Sequence, residues 1–254
     1  MSHTDIIGWG SVALFAIAFY LLYRFITSPP KVLDKLLKYG SLPGLQKVDR
    51  DPQEKKRLES FLNPSKMSRK TKTKLGAVYK TNRFQGYLCE AVDSQKYRAS
   101  GGKRKVRHDH KLKFVIMEET GLPDSFTISV RPDMNATFKF AMSMSKMMGI
   151  NLDEYDRGLS EEFKTRYIVN TGSRESGDIL VPGHLQDLLV QYSESSHSEI
   201  VNFLRNSSGM VFAPHGIIIN LSETNYPKDA KQVMAIIEFG ESLVKCLDSA
   251  KGPT

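Results

Sequence analysis

Cysteine is scarce: Cys89 and Cys246 are the only two in 254 residues. Two thiols can close one bridge at most, which excludes a disulfide-stapled scaffold and makes a reducing compartment the simpler setting. Short chemical motifs are lacking as well. Gly101-Gly102-Lys103 does not have the G-x-x-x-x-G-K-[ST] spacing of a phosphate loop. No G-x-S-x-G elbow occurs. His184, predicted at a helix start, and His215, in a turn, have no indicated Ser or Cys partner. The adjacent acids Glu161-Glu162 and Asp153-Glu154 read as solvated, because neighbouring side chains rarely converge on one substrate. His108 and His110 point to one face of a strand, but no third and fourth zinc ligands follow at a useful spacing. Met142, Met144, Met147 and Met148 have thioethers suited to Cu(I), yet Phe138 and Phe140 beside them favour core packing. No metal or other cofactor is expected. The missing motifs weigh against an enzyme, although a constellation assembled from distant residues would escape such a reading.

Before Ile6 there is no Lys or Arg. Residues 6–23 (IIGWGSVALFAIAFYLLY) then run without a formal charge, and Arg24, Phe25 and Ile26 extend the stretch. At about 1.5 Å per residue, residues 6–26 match a hydrocarbon core of roughly 30 Å. Ile6, Leu14 and Phe19 would face lipid, with Trp9 at one interface and Tyr20 and Tyr23 at the other. A cleaved signal would need a basic leading region and a small-residue cleavage site, and neither is present. The expectation is an uncleaved signal-anchor with a single pass. Arg24, Lys31, Lys35, Lys38, Lys47 and Arg50 all follow the span. The positive-inside rule therefore places the N-terminus outside and the remainder in the cytoplasm, at an inner or plasma membrane. The sequons at Asn135, Asn206 and Asn220 would then go unused.

The net charge of +8 is unevenly distributed. Residues 1–113 hold 24 Lys/Arg against 9 Asp/Glu; residues 114–254 hold 12 against 19. The basic half is the half attached to the membrane. After Pro29-Pro30, residues 31–39 (KVLDKLLKY) place Val32, Leu33, Leu36 and Leu37 on one helical stripe. That stripe fits either the lipid surface or a packing site on the domain. Residues 45–74 are polar and basic and read as a linker, with a helical turn or two around 53–61. The chain thus divides into a tail (1–5), a span (6–26), a juxtamembrane segment and linker (27–74) and a domain (75–250).

Within the domain, strands are predicted at 75–79, 84–92, 111–118, 125–130 and 163–170, from alternation and β-branched or aromatic content. Residues 136–149 suggest a short helix, and 198–205 another short element. Pro182 opens a helix carrying Leu185, Leu188, Leu189 and Tyr192 at i, i+3, i+4, i+7. Residues 210–212 and 217–221 flank Ala213-Pro214-His215-Gly216 and form a hairpin. Pro227 opens a final helix whose apolar face holds Val233, Ile236, Ile237, Leu243, Val244 and Leu247. The predicted fold is α+β, a mostly antiparallel sheet covered by two longer helices and preceded by one transmembrane helix.

The strand ending at Val130-Arg131-Pro132, Glu162-Phe163 leading to Tyr167-Ile168-Val169, and Ile179-Leu180-Val181-Pro182 before the Leu-rich helix form an ordered set. In this the last 130 or so residues resemble uncharacterised prokaryotic membrane-anchored proteins, in which N-terminal spans precede an α+β domain. The resemblance implies anchoring and fold class and supplies no activity. Those proteins often have two spans, where this chain has one.

The most conspicuous local feature is the stretch 96–113, KYRASGGKRKVRHDHKLK. Lys96, Arg98, Lys103, Arg104, Lys105, Arg107, Lys111 and Lys113 face a single acid, Asp109. With Gly101 and Gly102 it reads as a flexible hairpin tip that either contacts anionic lipid or is simply solvated. Tyr97 is its only aromatic, which makes a base-stacking nucleic-acid platform a poor fit. The leading expectation is a membrane-tethered domain that binds protein, the anionic membrane surface, or both. The alternatives are an enzyme acting on a membrane-derived substrate and an accessory subunit of a membrane complex.

Overall fold

The computed structural model describes residues 17–22, 33, 36, 44–48, 51–63, 71–98, 104–131, 154–171, 181–194, 209–221 and 226–249. Its strands are β1 (Leu45–Lys47), β2 (Thr71–Thr81), β3 (Gly86–Arg98), β4 (Arg104–Ile116), β5 (Phe126–Val130), β6 (Glu154–Tyr155), β7 (Tyr167–Thr171), β8 (Gly209–Ala213) and β9 (Gly216–Leu221). Helices are α1 (Pro52–Leu62), α2 (Glu161–Arg166), α3 (Gly183–Glu194) and α4 (Ala230–Ser249). The strands form one sheet in the order β1-β2-β3-β4-β9-β8-β5-β7-β6. Every pairing in it is antiparallel. The fold is therefore α+β, as the alternating patterns predict.

The two sheet faces bury different things. On one face Leu88, Phe114, Leu112, Ile219, Phe212 and Ile128 join α3 and α4 in the larger core. On the other, Leu75, Val78, Tyr87, Cys89, Ala91 and Val115 pack beneath α1 around Leu58. Asp51 caps α1, its side chain accepting from the amides of Gln53 and Glu54, with proline at the first turn where no donor is lost. At its other end Asn63 grips the sheet: its amide donates to the Thr73 carbonyl and its oxygen accepts from the Thr73 N–H.

Several expectations need correcting. The strand predicted at 163–170 begins as a helix: Ser160 accepts from the Phe163 N–H, Glu161 and Glu162 occupy the first turn, and Lys164 and Arg166 the last. The cap and dipole chemistry prevails over β-propensity for one turn and a half. The final helix starts at Ala230, three residues beyond Pro227, where Asp229 accepts from the Gln232 N–H. The strand predicted from 111 starts at Arg104, so most of the supposed loop is ladder. Leu33 is buried in the main core and Leu36 packs against it, which decides for the domain over the lipid surface. The elements predicted at 136–149 and 198–205 lie outside the described residues. So does most of the predicted span; no helix among the described residues is long and apolar enough to cross a membrane.

Two glycines are required by close approach. At Gly216, φ is +154° and a Cβ would stand 2.2 Å from the Ile116 carbonyl oxygen, so the β8–β9 turn lies directly on β4. At Gly240 a Cβ would meet the Phe114 ring at 2.2 Å, and α4 can reach the sheet only because that atom is missing. Helix propensity alone favours alanine there by about 1 kcal/mol. Phe114 is fully buried and set edge-on to Phe84, so its ring has nowhere to retreat. Gly240→Ala is expected to destabilise the protein by about 1–3 kcal/mol, the overpacking range, in urea unfolding.

Candidate functional site

Strands β3 and β4 are each 13 residues long and stay in register from Gly86↔Ile116 to Arg98↔Arg104. Their neighbours stop sooner: β2 is paired as far as Thr71↔Gln95 and β9 as far as Leu112↔Leu221. Past these points the pair continues as a two-stranded ribbon. Apart from Lys103, the basic stretch lies on these two strands, so it is arranged by strand alternation.

Side chains from Lys96 onward alternate between two faces. Lys96 and Val106 are opposite one another and exposed, on the face that Ser94, His108 and His110 share. Lys105 and Arg107 are exposed on the other face, with Gln95 opposite Arg107. Arg107 Nε donates to Asp109 Oδ1 at 2.6 Å. Arg98 and Arg104 are register partners. Lys103 lies outside the described residues. His108 and His110 do share a face, as their spacing implied, and His108 Nδ1 lies 2.9 Å from Ser94 Oγ. Among the described residues no group of three or more His, Cys, Asp or Glu is placed to hold a metal ion. The methionine cluster is outside them.

Lys113 and Lys111 belong to a different structure at the ribbon's base. Lys113 is buried, and its ammonium donates to Asp93 Oδ2 at 2.9 Å and to Asn220 Oδ1 at 2.9 Å. Thr73 Oγ1 donates to Asp93 Oδ1 at 2.6 Å, and Lys111 Nζ stands 3.4 Å from Asp93 Oδ2. One polar belt therefore crosses β2, β3, β4 and β9. Lys113 thus leaves the set of surface contacts, because its ammonium is spent on a buried carboxylate. Charge counting could not separate it from its neighbours. The register does, since Lys113 lies opposite Cys89 within the buried part of the sheet. Asn220, a sequon residue, is tied into the same belt.

Burial pushes the Asp93 carboxyl up, but the charge and hydrogen bond of Lys113, the Thr73 hydroxyl and the charge of Lys111 together outweigh it, and the group is held below its ordinary value. Burial pushes the Lys113 ammonium down, against the pull of Asp93. Of the two cysteines, Cys89 is fully buried and its thiol is pushed far up by desolvation, out of reach of nucleophilic chemistry. Cys246 is half-buried, with its sulfur 3.4 Å from the His184 carbonyl oxygen.

The basic stretch was visible in the sequence, but Lys72 and Lys74 were assigned to a linker. The structure places them on β2, exposed, opposite Ser94 and Val92. The period-two alternation of TKTKL could have assigned them to a strand. Comparison with protein families, curated proteins and solved structures finds no match for this chain. What it does has to be argued from its own side chains.

The buried pair gives two expectations. Asp93→Asn leaves a buried ammonium without its counter-charge and should cost about 3–5 kcal/mol in chemical denaturation. The double change Asp93→Leu with Lys113→Met should recover most of that loss, since apolar replacement of a buried pair is often neutral. The folded carboxyl of Asp93 is depressed, so its contribution is complete above the ordinary value of 3.8 and vanishes as pH falls through the folded value. The wild type should therefore lose more stability on acidification below about pH 4 than Asp93→Asn does.

Proposed function

We propose that this chain is a single-pass membrane-anchored protein whose α+β domain, on the cytoplasmic side, uses its basic ribbon to contact the anionic headgroups of its own bilayer. One observation carries the reading: β3 and β4 continue past their neighbours as a ribbon whose exposed charged side chains are mostly cationic. A hairpin needed only for the core could stop where β2 and β9 stop.

Three further features support it. Residues 17–22 are helical, and Ile17, Phe19, Tyr20, Leu21 and Leu22 are all more than half exposed. Six successive helical residues point in every direction, so apolar surface surrounds that helix, as lipid contact requires. The positive charge is concentrated in the membrane-proximal half of the sequence. The resemblance to prokaryotic membrane-anchored proteins points the same way. The acidic second half of the chain remains available to a protein partner.

Each basic residue held near an anionic leaflet contributes about 1 kcal/mol, and the attraction fades within a Debye length of about 8–10 Å. The full chain reconstituted in lipid nanodiscs should show tryptic cleavage within residues 96–113 at least about tenfold slower in phosphatidylserine-containing discs than in phosphatidylcholine discs. That difference should disappear near 1 M salt. Equal cleavage in both lipids would remove the basis for the proposal.

A further inference from the structure

The ribbon has two faces with different side chains, and the chain's own tether distinguishes them. Leu33 is buried in the larger core, and its N–H donates to Glu90 Oε1 at 2.6 Å. Glu90 is itself buried and lies opposite Leu112. By alternation Glu90 shares a face with Leu88, Val92, Ser94 and Lys96 on β3, and with Leu112, His110, His108 and Val106 on β4. The segment that follows the predicted span therefore joins the sheet on the helix-covered face, six register pairs before Lys96↔Val106, where the two-stranded ribbon begins. On that face β2 contributes Lys74, opposite Val92, and Lys72, opposite Ser94.

We infer that the face bearing Lys72, Lys74 and Lys96 together with His108 and Val106 is the one laid against anionic phospholipid headgroups, while the face bearing Lys105, Arg107 and Lys111 is turned away. This rests on the membrane-surface reading above and refines it. Three observations converge on it.

The first is reach. Six residues separate Ile26, the last of the predicted span, from Leu33, and the seven Cα–Cα steps cover about 25 Å at full extension. Leu33 is docked over β3 and β4, so the tether pulls this face toward the bilayer. Turning the other face to the lipid would require the tether to pass around the sheet. The route past β2 and β1 takes about 10 Å, and the depth of the sheet with its side chains about 10 Å more. Almost nothing would remain to clear the headgroups.

The second is charge. Lys72, Lys74 and Lys96 are exposed on this face. Glu90, the acid that shares the face with them in the described β3–β4 pair, is buried under Leu33. On the opposite face Asp93 and Asp109 are partnered with Lys113, Lys111 and Arg107, so three of the cations there already have counter-charges. Desolvating a cation against a phosphate is favoured where no carboxylate competes for it.

The third is apolar exposure. Val106 is half exposed in the middle of the cationic face, opposite Lys96. A β-branched residue opposite a lysine suits the headgroup boundary, where lysine stems and apolar side chains are both accommodated.

The test compares two neutral positions at adjacent register steps on opposite faces, Val106 and Gln95, so that the ribbon's charge is unchanged. In a Cys246→Ser background, Val106→Cys and Gln95→Cys are each labelled with a fluorophore in the full chain, in phosphatidylserine-containing nanodiscs carrying a headgroup-attached quencher. Quenching at 106 should exceed that at 95 at least threefold. Combined Lys72→Ser, Lys74→Ser and Lys96→Ser should abolish quenching at 106, and combined Lys105→Ser and Arg107→Ser should leave it. Stronger quenching at 95 would overturn the choice of face while leaving the surface reading intact. Equal quenching at both positions would overturn the choice of face, and no quenching at either would overturn the surface reading as well. Circular dichroism of each variant checks that the sheet is intact.

Discussion

The pairing of β4 with β9 is the contact on which the rest of the sheet depends. Strands β1 to β4 form a meander, and β5, β7 and β6 form a separate group. Among the described residues, the β8–β9 hairpin alone joins them in the sheet, with β9 against β4 and β8 against β5. Phe114, Val115 and Ile116 lie opposite Ile219, Ile218 and Ile217, so the join consists of large side chains of which all but the half-buried Ile218 are buried. Gly216 lets the hairpin turn sit against the Ile116 carbonyl, and Lys113 reaches Asn220 to fasten the far end. Without this pairing each group would expose an open hydrophobic edge.

The polar belt at Asp93 marks a boundary in what the sheet does. On one side of it α1 covers Leu75, Val78, Cys89 and Val115, and the strands belong to a core. On the other side the same two strands leave their neighbours and become a basic ribbon. A buried ion pair adds little net stability compared with a well-packed apolar pair. Its value here is positional: the Asp93 carboxylate on β3 holds β2 and β4, and Lys113 passes the connection on to Asn220 of β9, at the point where apolar cover ends. The ribbon is therefore held at a rigid base, and its charges keep a defined alternation.

Element type was legible wherever one period dominated. The stripe of Leu185, Leu188, Leu189 and Tyr192, the apolar face of the last helix, and the Ala213–Gly216 turn all folded as their patterns implied. What was hidden depended on partners distant in sequence. Residues 104–110 are too polar to announce a strand, and only pairing with β3 makes them one. Phe163–Arg166 alternates plausibly, yet Ser160 and two acids start a helix there. The KVLDKLLKY stripe could not choose between lipid and protein until Glu90, 57 residues away, supplied an acceptor for the Leu33 amide. Lys113 looked like its basic neighbours because burial is not written in charge. Lys72 and Lys74 were overlooked because a basic, Ser/Thr-rich run reads as linker until β3 is laid beside it.

The place of the β8–β9 hairpin has a consequence for the order of synthesis. Residue Ile217, the partner of Ile116, leaves the ribosome roughly a hundred residues after it, about 5–20 s later at ordinary elongation rates. For that interval the central edge of β4 has no strand to receive it. An edge left open for that long is the part of the unfinished chain most exposed to mispairing with another copy.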